Sequence, residues 1–76
     1  MNTEHNKQKI DSVGFNREVW ANARPHDISR RKLARMLGTS DSNLISIEKG
    51  ASLPSILLAF KYCAAVNINP NRLMTT

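Results

Sequence analysis

The side chains that could act as nucleophiles, bases or metal ligands are few in this chain, and they are scattered. His5, His26 and Cys63 show none of the close spacing that metal ligands usually have. Ser29 and Ser40 precede helical patterns and have no neighbouring histidine as a base, so we interpret them as helix caps and not as nucleophiles. The sequence therefore predicts a protein that is not an enzyme, with no metal, no cofactor and no small-molecule ligand.

Positive charge is the chemical feature that this sequence has in excess. Eleven Lys and Arg against six Asp and Glu give a formal net charge of +5, and the pI is about 10.0. Four of these cations fall within residues 30–35. A small basic domain attracts polyanions, with nucleic acid as the first candidate and an acidic membrane surface as the second. No segment pairs a basic helical face with a broad apolar one, which disfavours the membrane surface.

Length and composition restrict the chain to one small domain. Its 76 residues form a single core at most, and an apolar content of 41% is enough to fold. A single cysteine and polar first residues favour a cytoplasmic protein without a signal peptide. The longest apolar run, residues 56–60, is too short to span a membrane. We expect a flexible N-terminal arm over residues 1–12 and a globular domain over residues 13–76.

The spacing of apolar residues predicts a compact all-α bundle of about five short helices. The first helix has apolar positions four residues apart, at Phe15, Val19 and Ala23. It should end before Pro25, because the residue before a proline disfavours helical geometry. Trp20 lies off this stripe, so we expect it to be partly exposed. A fourth helix is expected from about Pro54 to Val66, and a short fifth one from residue 69.

Two helices near the middle of the chain are joined by a very short turn. Ser29 can cap a helix over residues 30–37, which Gly38 ends. Ser40 can cap the next helix, over residues 41–49. So short a connection makes the two helices cross steeply instead of lying side by side. The outer face of the helix over residues 41–49 is then free to contact a partner.

The stretch ISRRKLARMLGTSDSNLISIEKG, residues 28–50, resembles the helix-turn-helix core of the Cro and lambda-repressor-like family. The positions that match it are Ser29, Leu33, Ala34, Gly38, Leu44, Ile47, Glu48 and Gly50. The run PSILLAFKYCAAVNINPNRL is similar to the family's fourth helix and the start of its fifth. Several spaced positions agree at once over about residues 15–73, which makes the signal specific. The resemblance implies a DNA-binding domain whose third helix enters the major groove.

The resemblance also implies two sets of DNA-contacting side chains. The base-reading set consists of short polar groups at the start of the third helix, namely Asp41, Ser42, Asn43 and Ser46. The phosphate-binding set surrounds that helix and consists of Ser29, Arg30, Arg31, Lys49 and Ser52. Small polar residues at a helix start can instead serve only as caps. The Asp41 carboxylate is ambiguous, because it can be there to complement the helix dipole or to accept from cytosine.

Two departures from the family pattern concern Glu48 and the loop after Gly50. In many relatives an arginine of the first helix pairs with the glutamate at this position, but Ala23 stands there, with Arg24 beside it. Either Arg24 takes that role through a small shift, or Glu48 pairs otherwise. The loop ASLPS lacks the basic residues that often hold the DNA backbone, which leaves Ser52 alone there.

The fourth helix has apolar residues at positions that are usually polar in the family. In this helix, labelled α4 and expected over about residues 54–66, Leu57, Phe60 and Ala64 fall on one face, which we call the α4 stripe. Such a stripe needs a cover, and a second copy of the chain is favoured over the arm or the C-terminal end. The resemblance then implies a small transcriptional regulator, and of the two signs of regulation it favours a repressor. This repressor is expected to bind a palindromic operator as a homodimer and to control its own gene, as in phage or plasmid systems. The alternative is an antitoxin-like or adaptor-like module that uses the stripe to bind another protein.

Overall fold

The computed structural model describes residues 10–74, which form five helices. The helices are α1 (Arg17–Asn22), α2 (Arg30–Leu37), α3 (Asp41–Glu48), α4 (Ile56–Val66) and α5 (Pro70–Leu73). Within this range there is no strand, and one isolated antiparallel bridge joins Phe15 to Met74. None of these helices is long and apolar enough to cross a membrane. The predicted all-α bundle is therefore confirmed.

Side-chain caps fix where the helices begin. The capping residues accept a hydrogen bond from a backbone N–H of the first turn, and they are Asn16, Ser29, Ser40, Ser55 and Asn69. The predicted caps Ser29 and Ser40 are thus confirmed. The predicted start of the fourth helix near Pro54 is wrong, because Ser55 caps that helix and Pro54 lies buried just before it. The third helix ends at Glu48, one residue earlier than predicted.

The turn between α2 and α3 is closed by a glycine in the left-handed region. Gly38 has φ +73°, which other residues rarely adopt, and its N–H donates to the carbonyls of Ala34 and Arg35. The N–H of Thr39 also donates to the carbonyl of Ala34. α3 therefore follows α2 after three residues and packs against both α2 and α1.

The core is formed by apolar side chains from every helix. Its buried members are Ile10, Trp20, Leu33, Ala34, Leu37, Leu44, Ile47, Ala59, Tyr62, Cys63, Val66 and Leu73. Ile10 is a correction to the predicted arm over residues 1–12. Its side chain is only 3% exposed, and its N–H donates to the carbonyl of Pro54 at 3.2 Å. Residues 1–9 of that predicted arm, with His5, lie outside the described residues.

Trp20 is buried, so the expectation that it would be partly exposed is wrong. Its side chain is 1% exposed and stacks on Tyr62, with the ring centroids 3.8 Å apart and the rings 10° from parallel. The Tyr62 hydroxyl donates to the carbonyl oxygen of Trp20. α1 has only six residues, with Phe15 before it and Ala23 as its C-cap. So short a helix has no continuous stripe, and the aromatic contact with α4 decides which side faces inward.

The buried hydroxyl of Tyr62 predicts a loss of stability at alkaline pH. Burial, and secondarily the charge of Glu48, raises the pKa of Tyr62 well above its ordinary value of about 10. A pKa that is raised by folding gives stability that is complete below the unfolded value and is lost as pH rises toward the folded one. We expect the urea midpoint to fall above pH of about 10.

The matched control is Tyr62→Phe, which removes the titrating group. Burial also raises the pKa of the Cys63 thiol, so both proteins should carry Cys63→Ala. Urea titrations between about pH 8 and 11 should then show a steeper decline with Tyr62 than with phenylalanine. Equal declines would show that the hydroxyl is not held in its neutral form by the fold.

Candidate nucleic-acid interface

α3 is fastened to the core along one side and is open along the other. Leu44 and Ile47 are 1% and 0% exposed and face α1 and α2. At about 100° per residue, the opposite face of the helix carries positions 42, 45, 46 and 49. Ser42 and Lys49 are exposed, and Ile45 and Ser46 are partly exposed. This outer face is therefore accessible and largely polar.

The predicted base-reading residues fall into a central pair and two flanking positions. Ser42 and Ser46 lie on the outer face, whereas Asp41 and Asn43 lie at its two edges, partly exposed. Ile45 is a member of the face that was not predicted from the sequence. Its apolar type gives no sign of an exposed position, but Leu44 and Ile47 take the inward positions on either side of it. An apolar side chain here can contact a thymine methyl group.

Asn43 is held in place by the turn that precedes α3. Its N–H donates to Ser40 Oγ at 3.0 Å, and its side-chain Nδ2 donates to Thr39 Oγ1, also at 3.0 Å. The Thr39 hydroxyl therefore fixes the orientation of the amide. A side chain with a fixed orientation loses less conformational freedom when it meets a base edge.

An ion-pair cluster links the start of α2 to both ends of α3. Arg30 Nε lies 2.8 Å from Asp41 Oδ1, and Arg30 Nη1 lies 4.0 Å from Glu48 Oε1. Arg24 instead donates from Nη1 to the carbonyl of Ile28 at 3.1 Å. Of the two possibilities left open for Glu48, the structure shows pairing with a residue other than Arg24. Because these side chains are 28–38% exposed, such pairs contribute about 0–1 kcal/mol to stability.

The Arg30–Asp41 pair joins a predicted phosphate contact to a predicted base contact. The Asp41 carboxylate is therefore engaged by a guanidinium in addition to lying in the first turn of α3. A DNA phosphate that approaches Arg30 has to share it with this carboxylate. The carboxylate offsets the positive charge of Arg30, and the ion pair fixes the guanidinium at the edge of the outer face.

The other predicted phosphate contacts differ in how accessible they are. Ser29, Arg31 and Lys49 are exposed around α3, and Ser29 Oγ accepts from Lys32 N at 3.1 Å as a cap. Ser52 is different, because its hydroxyl oxygen is buried with no hydrogen-bond partner among the described residues. Its N–H donates to the carbonyl of Ser46. The geometry therefore disfavours Ser52 as a phosphate contact and leaves the loop after Gly50 without one.

Arg17 is a second side chain near α3 that was not predicted from the sequence. It is the first residue of α1 and is exposed, and its guanidinium lies over Gly50 at the end of α3. A separation of 33 residues gives no local signal for this contact. It arises because α1 packs against α3.

The described residues 10–74 leave the side chains of the α4 stripe exposed. Leu57 is 65% exposed and Phe60 56%, and Ala64 is exposed as well. The only charged side chain of α4 is Lys61, which is also exposed. The stripe lies on a different helix from the outer face of α3, but Leu57 and Asn43 line the same surface depression.

No group of three or more His, Cys, Asp or Glu side chains within the described range is arranged to hold a metal ion. The surface depressions are open ones, and one of about 720 Å³ lies between α1 and the end of α3. Its charged lining residues are one cation, Arg17, and two carboxylates, Glu18 and Glu48. These depressions offer an open binding surface.

The comparison with protein families gives one match. A family model described as Helix-turn-helix matches residues 23–73, which are 51 of the 76 residues and include α2 to α5. No curated protein and no solved structure matches the chain. The matched range contains the α2–turn–α3 unit and the ion-pair cluster described above.

Proposed function

The chain belongs to the lambda-repressor-like helix-turn-helix family, and we propose that it is a transcriptional regulator that reads double-stranded DNA with the outer face of α3. DNA binding of the transcription-regulator type is the function that this family supports. The observation that carries the proposal is the division of α3 into a buried side at Leu44 and Ile47 and an accessible polar side. A helix held in this way fits into a major groove of about 12 Å width.

In this proposal, affinity and specificity come from different side chains. Arg30, Arg31 and Lys49 lie around α3 and supply the charge that neutralises phosphates and releases counterions. Ser42, Asn43 and Ser46, with Ile45 between them, supply contacts to base edges and methyl groups. Ser29 adds the start of α2, where backbone N–H groups favour an anion.

We further propose that the protein acts as a dimeric repressor of a palindromic operator. The exposed α4 stripe supports a two-fold contact between copies, because an apolar face on so small a domain needs a cover. A two-fold dimer matches half-sites about one helical turn, or about 34 Å, apart. Repression needs only that the bound domain occupies a promoter, which also suits control of its own gene in a phage-, plasmid- or bacterium-type setting, with the protein in the cytoplasm.

The test is a titration of a labelled random duplex at about 50 and 200 mM salt. Each phosphate contact contributes about −0.9 to the slope of log affinity against log salt. The three cations Arg30, Arg31 and Lys49 therefore predict a loss of about 40-fold in affinity over this fourfold change in salt. Selection of bound fragments from random DNA would then give the site and its symmetry. Absence of binding at both salt concentrations would contradict the proposal.

The ion pair at Arg30 yields a specific prediction for DNA affinity. Arg30→Ala should weaken binding to all sequences alike and flatten the salt slope by about one. Asp41→Asn should strengthen binding to random DNA, because it removes a negative charge and releases Arg30. That gain should shrink in the Arg30→Ala background, since part of it acts through the guanidinium.

The control for this prediction is Arg35→Ala, which removes an exposed cation of α2 that we expect to face water. Its affinity and slope should stay near those of the parent protein. If Asp41→Asn instead reduces binding only at one base position of the selected site, Asp41 reads that base directly. An unchanged slope in Arg30→Ala would remove Arg30 from the phosphate contacts.

A protein-interaction module of the same fold is the second candidate function. Exposure of Leu57 and Phe60 favours it, because these side chains could pack against another protein as well as against a second copy. Such a module would bind random DNA weakly and with little dependence on salt. The same titration therefore separates the two functions.

A further inference from the structure

Arg17 is positioned by the shape of the backbone at the end of α3. Gly50 follows α3 with φ +82°, a conformation that side chains with a Cβ rarely adopt. A Cβ at Gly50 would overlap Arg17 Nη1 and would lie 3.3 Å from Arg17 Cζ. The guanidinium therefore lies directly over the glycine, in the space that a side chain would fill.

Among the described residues, no carboxylate forms an ion pair with Arg17. Both ion pairs within 4.0 Å among residues 10–74 use Arg30. Arg17 is itself exposed, and so is Lys49, which precedes Gly50 in the chain. Two accessible cations thus lie at the C-terminal end of α3, whereas Arg30 and Arg31 lie at the start of α2.

Arg17 lies beside the loop that follows α3, and this loop has no basic side chain to contact a phosphate. A helix in the major groove has a phosphate strand on either side of it, and both strands are normally contacted. The loop over residues 51–55 has no basic side chain, and the hydroxyl oxygen of Ser52 is buried. An additional cation beside this loop comes from α1, a helix that packs against α3, because Arg17 lines the same depression as Ser52 and Leu53.

The surface beside Arg17 has room for a segment of DNA backbone. An open depression of about 720 Å³ is lined by Arg17, Gly50 and Ser52. Glu18 and Glu48 also line it, and a phosphate would be repelled from their part of the surface. The phosphate position that agrees with these charges is therefore the Gly50 edge, where Arg17 lies.

We propose that Arg17 is a further phosphate-binding residue, which supplies from α1 the basic contact that the loop after α3 lacks. The inference rests on the proposed DNA-binding function and extends the interface to a helix outside the α2–α3 unit. Gly50 makes this position of Arg17 possible, because the absence of a side chain leaves space for the guanidinium.

The experiment compares Arg17→Gln and Arg17→Lys with the parent protein on the same random duplex at several salt concentrations. Arg17→Gln should reduce affinity about fivefold near 100 mM salt and flatten the slope by about one. Arg17→Lys should keep a slope close to that of the parent, because the charge is retained. Arg35→Gln, which removes an exposed cation of α2 that we expect to face water, is the matched control and should change neither quantity.

Three outcomes decide between the possibilities. If the parent and Arg17→Gln proteins have the same slope while Arg30→Ala flattens it, Arg17 is not a phosphate contact and the proposed function stands. If Arg17→Lys loses as much slope as Arg17→Gln, the residue acts through packing on Gly50, and the inference is overturned. If the parent protein shows no salt-dependent binding, the proposed function fails as well. Thermal unfolding of each variant confirms that folded protein is compared.

Discussion

Replacement of Trp20 by alanine is expected to leave a large fraction of the protein molecules unfolded at 25 °C. The side chain is 1% exposed, stacks on Tyr62 and meets Phe15 edge-on, with those centroids 5.8 Å apart. Truncation of a buried tryptophan to alanine typically costs about 3–5 kcal/mol. Domains of about 70–80 residues rarely have more than about 3–5 kcal/mol of stability in total. One substitution therefore removes most of the stability that this domain can have.

The measurement is urea unfolding followed by far-UV circular dichroism, because the variant lacks the only tryptophan. Val13→Ala is the control, since Val13 is 86% exposed and its truncation should change stability by less than about 0.5 kcal/mol. Trp20→Phe should fall between the two, because it keeps an aromatic ring against Tyr62. A loss below about 1 kcal/mol in Trp20→Ala would mean that the stack is not a principal part of the core.

The features that could be predicted from sequence are those fixed by local chemistry. Ser29 and Ser40 accept hydrogen bonds from N–H groups three residues ahead, and Gly38 ends α2 in a left-handed conformation. Each of these depends on a few neighbouring residues, so its type and position carry the signal. The same holds for the inward pair Leu44 and Ile47, whose spacing marks one side of α3.

The features that could not be predicted depend on how distant segments meet. Trp20 is buried because α4 supplies Tyr62, 42 residues away. Ile10 is buried at a point where its N–H donates a hydrogen bond to the carbonyl of Pro54. In the candidate interface, Arg30 reaches Asp41 only because α2 and α3 cross there, and Arg17 reaches Gly50 only because α1 packs against α3. A single sequence specifies which side chains can pair, but the crossing of helices decides which of them do.

The pairing of charges also changes what the interface is expected to do. From the sequence, Arg30 is a phosphate contact and Asp41 a base contact, each with an independent effect. Their separation of 2.8 Å couples them, so in the proposed interface a carboxylate and a phosphate would compete for one guanidinium. A carboxylate at this edge would repel phosphates of any DNA, whereas it would accept a hydrogen bond from cytosine only at a suitable site. We infer that Asp41 favours specificity at the cost of overall affinity.

The second large effect is expected from Phe60→Glu, which places a charge in the α4 stripe. The stripe offers roughly 200–250 Å² of apolar surface, taking a Phe side chain as about 150–250 Å² in full. A stable interface buries about 800 Å² per partner, so the stripe would be the centre of a larger contact or of a weak dimer. A carboxylate buried there without a partner would oppose either one strongly.

The expected consequence for DNA binding follows from the linkage of two half-sites. A dimer that holds both half-sites gains about 10²–10⁴ in affinity over one copy, and Phe60→Glu should remove this gain on the selected operator. Binding of a single copy to a half-site should be nearly unchanged, because the outer face of α3 lies on another helix. Analytical ultracentrifugation should show a smaller species for Phe60→Glu than for the parent protein at the same concentration.

Met36→Glu is the matched control, because it introduces the same charge at an apolar side chain that is 50% exposed but lies on α2. It should sediment like the parent protein, with its operator affinity reduced only by the added negative charge. If Phe60→Glu also sediments like the parent protein, the α4 stripe is not the contact between copies. If it sediments as a smaller species but still binds the operator with full affinity, the two half-sites are not linked through this helix. Either result would separate the DNA-reading role of α3 from the proposed dimer, since α3 is held by α1 and α2 and not by the stripe.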